Sequence, residues 1–239
     1  MTGRRWLLLW LVLLVASYAV RRLAPTPTEL PAGMKAVELP VVGGSRSGAA
    51  GVRVAYRELA PAAVTEAPVI VLLHGSPGSS ADFGTLAPAL AGRFRVLAVD
   101  LPGFGASEHR VPDYSIASHA AYVVELMDAL HIEHFHVLGF SMGGGVAIEM
   151  AGRAPHRVRS LVLLSSIGVQ ELELLGSYPL NHAVHGLQLG LLWLLHAAVP
   201  HFGLLDGSML SVEYARNFYD TDQRPLRGIL STLEMPTLI

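Results

Sequence analysis

Four glycines crowd around one serine where an apolar run ends and a run of different period begins, in Val137-Leu138-Gly139-Phe140-Ser141-Met142-Gly143-Gly144-Gly145-Val146. Phe135, Val137 and Leu138 read as a buried strand, and the Ala/Ile/Met-rich residues up to Met150 read as a helix, so Ser141 falls on a strand-to-helix turn. The residues Gly139 to Gly143 fit G-x-S-x-G. In so sharp a turn, side chains two positions either side of the serine would collide with neighbouring backbone, which is why glycine is needed at 139 and 143. The turn also sets the Met142 N–H at a helix N-terminus, where it favours negative charge.

Two upstream stretches carry related signals. Pro68 to Ser79 is a buried-strand pattern ending in His74-Gly75-Ser76-Pro77-Gly78, and Arg95 to Ser107 is a strand followed by Asp100-Leu101-Pro102-Gly103-Phe104-Gly105-Ala106-Ser107. In this order, over about Val52 to Ser165, the three motifs resemble the nucleophile elbow, the oxyanion loop and the following strand-loop of the α/β-hydrolase family. The resemblance implies an α/β fold with a mostly parallel, doubly wound sheet of the α/β-hydrolase type and a helical cap. It further implies Ser141 as nucleophile and the N–H groups of Ser76 and Met142 as the oxyanion hole. Serine at the elbow argues against dehalogenase or epoxide-hydrolase chemistry, for which this family typically uses a carboxylate. The implied function is a serine hydrolase acting on an ester, amide, lactone or C–C bond through an acyl-enzyme, with no cofactor. The competing class is a non-catalytic binding module on the same fold.

The rest of the chain supports a single domain. With 239 residues, 51% of them apolar, it can bury one substantial core. A net charge of −2 and the lack of long basic runs exclude a nucleic-acid surface, which needs clustered Lys and Arg. Without cysteine, no disulfide framework or thiolate metal site forms. The eleven histidines show no H-E-x-x-H or comparable spacing, and His131, His134 and His136 lie where a helix passes into a strand, so no metal is expected.

Strands are expected at Val37 to Val42 and Val52 to Leu59 (an antiparallel edge hairpin around Gly43 to Gly51), Val69 to Leu73, Arg95 to Val99, Phe135 to Phe140 and Arg159 to Leu164. Helices are expected at Asp82 to Ala91, and at Tyr114 to Leu130 with Asp113 as a candidate cap. His74 and Asp100 are read as structural, Asp100 bonding amides of its own turn. Strand-helix alternation stops after Ser165, and residues 167–234 are read as a cap in which Leu187 to Val199 is a buried helix closing an apolar pocket for a small, apolar substrate. The chain reaches Pro236-Thr237-Leu238-Ile239, the opening of a further strand, with no histidine after the cap. In the family's order of Ser, acid, His, the acid and histidine are therefore expected beyond residue 239, with Glu171 and Glu173 weaker stand-ins for the acid.

Trp6 to Val20 is uncharged and mostly apolar between two arginine pairs. As a helix it is about 22 Å long, short of a hydrocarbon core of about 30 Å, a gap that snorkelling arginines and interfacial Trp6 and Trp10 cover. Residues 1–23 are read as an uncleaved membrane anchor in preference to a signal peptide, because Arg21 and Arg22 would follow a cleavage site awkwardly. The protein is thus expected to be membrane-anchored or exported, on the extracytoplasmic side. Residues 24–35 are read as a proline-rich tether and 36–239 as the hydrolase domain. Fractionation of cells expressing the full chain should leave it with membranes, whereas a chain beginning at Ala32 should be soluble; equal solubility of the two would dismiss the anchor.

Overall fold

The computed structural model describes residues 2–23, 29–42, 51–61, 66–167, 177–206 and 208–239. Seven strands form one sheet in the order β1-β2-β4-β3-β5-β6-β7. They are β1 (Met34–Leu39), β2 (Val52–Leu59), β3 (Val69–Leu73), β4 (Arg95–Val99), β5 (Phe135–Phe140), β6 (Val158–Leu164) and β7 (Thr237–Leu238). β2 runs antiparallel to β1 and to β4; all other pairs are parallel. The edge hairpin is present with its first strand starting at Met34, earlier than the periodicity indicated, and most of its Gly43–Gly51 connection lies outside the described residues. β7 pairs with Leu161 and Val162 of β6, as the apolar Thr237-Leu238 step suggested.

Alternation along the strands divides the core in two. Val71, Leu73, Val99, Val137 and Leu161 face a larger cluster completed by α3 (Ile116–Ala129), α4 (Met142–Arg153) and α7 (Arg224–Ser231). Ile70, Leu72, Val96, Ala98 and Leu138 face a smaller one, closed by Phe83 and Ala87. Those two side chains sit on separate elements, a 3₁₀ turn at Ser80–Phe83 and the short α2 (Leu86–Leu90), where one helix was expected. Ser115, not Asp113, caps α3: its hydroxyl accepts the Ser118 N–H at 3.1 Å, while Asp113 accepts the Ser115 N–H at 2.8 Å. Asp113 instead orients the cap from two positions further out.

Beyond β6 the chain forms α5 (Tyr178–Ala198) and α6 (Val212–Asp220), which pack on each other. The expectation of a buried helix over Leu187 to Val199 fails. α5 presents Leu187, Leu191, Trp193 and Leu194 at 59–65% exposure, because among the described residues neighbours cover it on one side only. α7 leaves the cap span and returns to the body, with Leu226 buried in the main core and Ile229 against Gly152 of α4. The N-terminal α1 (Thr2–Leu23) is, among the described residues, the one helix long and apolar enough to cross a membrane. Its last turns dock on the cap: Ser17 Oγ accepts the N–H groups of His201 and Phe202 at 3.1 and 2.8 Å, Tyr18 donates to the Ala197 carbonyl at 3.2 Å, and Arg21 pairs with Asp206 at 3.1 Å.

Cap and body meet through a buried hydrogen bond of 3.0 Å between His119 Nε2 on α3 and Asn217 Oδ1 on α6. Burial pushes the His119 pKa down to about 4, although the Asn217 bond pulls it up. A histidine kept neutral in the folded state contributes stability above its unfolded pKa of about 6.5 and loses it as pH falls toward 4. The melting-temperature advantage of the native chain over His119→Gln should shrink as pH drops from 7 to 4.5; a pH-independent difference would remove His119 as the titrating group. At Gly139, Ala should cost on the order of 2–4 kcal/mol in denaturant unfolding, since its methyl would strike the Gly143 carbonyl. Gly228→Ala on the open side of α7, where nothing lies within 4 Å, should be neutral or stabilise by about 0.4–1 kcal/mol.

Candidate functional site

The centre of the site is a single strained residue. Ser141 takes φ 52° and ψ −118° between the end of β5 and the first turn of α4, a conformation costing about 1–3 kcal/mol for a residue with a Cβ. Its neighbours enforce it. A Cβ on Gly139 would overlap the Gly143 carbonyl, and one on Gly143 would overlap the Leu73 carbonyl, so strand, turn and helix sit closer than any side chain allows. The serine backbone is bonded on both sides: its N–H donates to the Leu164 carbonyl at 3.2 Å, and its carbonyl accepts from Gly144 and Ile167, each at 3.0 Å.

Met142 is the first residue of α4, so its N–H has no partner within the helix. From the other side comes the loop after β3. A Cβ on Gly75 would lie 3.0 Å from that of Ser141, which brings the backbone of this loop against the serine. Ser76, Ser141 and Met142 line one cavity of about 230 Å³. The three residues singled out from sequence are thus gathered at one place.

His74 and Asp100 face elsewhere, as their structural reading required. Both ring nitrogens of His74 are used: Nδ1 donates to the Gly75 carbonyl at 2.7 Å and Nε2 accepts the Leu101 N–H at 3.0 Å. Complete burial lowers its pKa, keeping the ring neutral. The Asp100 carboxylate accepts the Ser80 and Ala106 N–H groups at 2.6 and 2.8 Å, tying the two loops together. Among the described residues none hydrogen-bonds to the Ser141 hydroxyl. Glu171 and Glu173 lie outside the described residues.

A cap over the serine was expected, but the residues that roof the cavity were not singled out from the sequence. The roof comes from Asn181, His182 and His185 on α5 and from Asn217 and Phe218 on α6. The ring of His182 stacks on Tyr219 at 4.3 Å, and that of His185 on Phe218 at 5.6 Å. Asn181 is 4% exposed and, among the described residues, neither of its side-chain polar atoms has a partner. Positions 181, 182 and 185 share one helical face, and this polar break in an apolar helix was the available signal.

Comparison with known proteins agrees with this architecture. Residues 68–227 match the alpha/beta hydrolase fold family. The 2-hydroxy-6-oxo-2,4-heptadienoate hydrolase of Pseudomonas putida is 33% identical over 65% of this chain and 56% of its own. The dihydrolipoyllysine-residue acetyltransferase component of the acetoin cleaving system of Cupriavidus necator is 39% identical over 49% of this chain and 30% of its own. The chain thus spans about a third to a half of the length of such relatives. Among solved structures, a thermophilic esterase from Thermogutta terrifontis has a TM-score of 0.65 at 16% identity, covering 85% of this chain and 78% of that one. A bacterial membrane phospholipase A has a TM-score of 0.59 at 24% identity, covering 98% and 77%. At those identities the structures speak to the fold alone. The family match extends over most of the chain, from the strand before His74 to the last helix, and the chain belongs to the alpha/beta hydrolase fold family.

Proposed function

We propose that this chain carries the nucleophile and oxyanion hole of a membrane-anchored serine hydrolase that cleaves apolar carbonyl substrates through an acyl-enzyme on Ser141. The observation that carries this reading is the strained elbow beneath the cavity, with Met142 at the N-terminus of α4 and the Ser76 loop beside it. In the reaction the Ser141 oxygen attacks the carbonyl carbon, and its proton passes to a base. The tetrahedral oxyanion is held by the Ser76 and Met142 N–H groups until the leaving group departs protonated. Water then repeats the attack and releases the acid. Ile116, Met142, Ile167 and Phe218 on the cavity wall favour an apolar acyl group. Ester, amide, lactone and C–C substrates are all compatible with this chemistry.

Membrane anchoring is supported by α1, whose 18-residue apolar window is only 6% buried, and by what its end touches. The exposed apolar side chains of the cap, Leu187, Leu191, Trp193, Leu194 and Leu204, belong to the helix and loop on which α1 docks. A contiguous patch of this kind on a soluble surface is uncommon. Against a bilayer that already holds α1, it buries its area and brings the cavity near lipid-dissolved substrate.

With a short-chain activated ester, turnover should require Ser141. The family order puts acid and base after Ser141, so turnover is compared between the 239 residues alone and an extended chain that supplies them. Ser141→Ala in the extended chain should cost about 10⁴- to 10⁶-fold. An active Ser141→Ala chain would remove the nucleophile assignment. Ser141-dependent turnover by the 239-residue chain that is lost in His182→Gln or His185→Gln would move the base into the cap. For the membrane face, Trp6→Phe/Trp10→Phe leaves Trp193 as sole tryptophan. Its fluorescence should be quenched by brominated lipid in vesicles, and unquenched emission would dismiss contact of the cap with the bilayer.

A further inference from the structure

Where α5 ends against α1, three side chains converge that the serine site does not use. His196, His201 and Asp206 each bring one nitrogen or oxygen to a place where all these atoms lie within 4.8 Å of one another. His196 and His201 are 8% and 4% exposed, and their rings meet edge to face at 4.6 Å. His196 Nε2 sits 2.9 Å from the Leu210 carbonyl, an acceptor only, so Nε2 carries the proton and donates. In the neutral ring this puts the lone pair on Nδ1, which lies 3.7 Å from Asp206 Oδ1. A backbone carbonyl fixing the far nitrogen is the arrangement that orients a metal-binding imidazole.

His201 supplies the independent observation. Both of its ring nitrogens are buried and, among the described residues, neither has a hydrogen-bond partner. A buried donor or acceptor left unpaired costs about 1–3 kcal/mol, and a group in that state calls for a water or an ion. Ordinary core packing gives no reason for two histidines and a carboxylate to meet here.

We propose that His196 Nδ1, one ring nitrogen of His201 and the Asp206 carboxylate form a binding site for a divalent transition-metal ion, with Zn²⁺ the ion this donor set suits best. Two imidazoles and a carboxylate are borderline ligands that zinc accepts at about 2.0–2.2 Å, with water in a fourth position. Such bonds need donor atoms about 3.3 Å apart in a tetrahedron, so small side-chain rotations from the present geometry suffice. Arg21 holds the carboxylate from outside through bonds of 3.2 and 3.1 Å, leaving further lone pairs on both oxygens. Its charge opposes the ion and moderates affinity. The ion would join the end of α5 to the following loop and, through Asp206–Arg21 and Ser17, to α1. Its role is to clasp cap and anchor together, apart from chemistry at Ser141.

The untagged 239-residue chain in detergent, stripped with a chelator, should take up one Zn²⁺ per chain by calorimetry and melt at higher temperature when loaded. Co²⁺ in its place should give the intense visible absorption of a tetrahedral site. His201→Gln and Asp206→Asn should each lower Zn²⁺ affinity at least tenfold, whereas Ser141→Ala and His134→Gln leave it unchanged. The serine variant separates this proposal from the hydrolase reading. Because the chain has no cysteine, His201→Cys should add a thiolate-to-cobalt band in the near ultraviolet, a readout available even if His201→Gln does not fold. No stoichiometric Zn²⁺ uptake by the unmutated chain, or a Co²⁺ spectrum without that band in His201→Cys, would overturn the site.

Discussion

The close approach of backbone to backbone at Gly139 and Gly143 is the constraint on which the rest of the site depends. With no Cβ at either position, the carbonyls of Leu73 and Gly143 occupy the space a side chain would fill, and α4 starts almost on top of β3 and β5. That proximity pins Ser141 in the left-handed region and leaves the first N–H of the helix free beside it. Such strain persists only where the surroundings over-determine it. Here they do so through three hydrogen bonds to the serine backbone from β6, Ile167 and α4.

The loops around the serine are held by groups that invite a chemical role and serve a mechanical one. His74 and Asp100 stand at the C-terminal ends of β3 and β4, where ligands bind in open α/β sheets. Each spends one polar atom on backbone of its own loop and another on backbone of the neighbouring one. The burial that makes His74 a poor base also keeps it neutral, so that one nitrogen can donate while the other accepts. The loops beneath the cavity are thus held by backbone bonds, and its roof is built from the more exposed helices α5 and α6.

The cap differs from the body in what holds it. The body is closed by two apolar clusters on the faces of the sheet. Among the described residues the cap is joined to the body by polar contacts that include the His119–Asn217 bond, the Tyr114 N–H donating to the Asp220 carboxylate at 3.0 Å and the Arg216 guanidinium donating to the Pro112 carbonyl at 2.6 Å. Hydrogen bonds of this kind contribute about 0.5–1.5 kcal/mol each, far less than a buried apolar cluster.

Local information settled much of this protein. Short continuous apolar runs located the central strands, the Gly139/Gly143 spacing located the turn, and the order of three motifs indicated the family, because each of these is enforced within a few residues by steric and periodic rules. Other features needed the folded chain. An apolar run says that a segment avoids water but not what covers it, which is why α5 reads as core and stands mostly exposed. Asn181, His182 and His185 become cavity lining only when α5 is laid across the sheet end, and His196, His201 and Asp206 converge only where helix, turn and α1 meet. Side chains brought together by packing between distant elements leave no periodic trace in the chain, so the body was determined by its sequence pattern and the roof by tertiary contact alone.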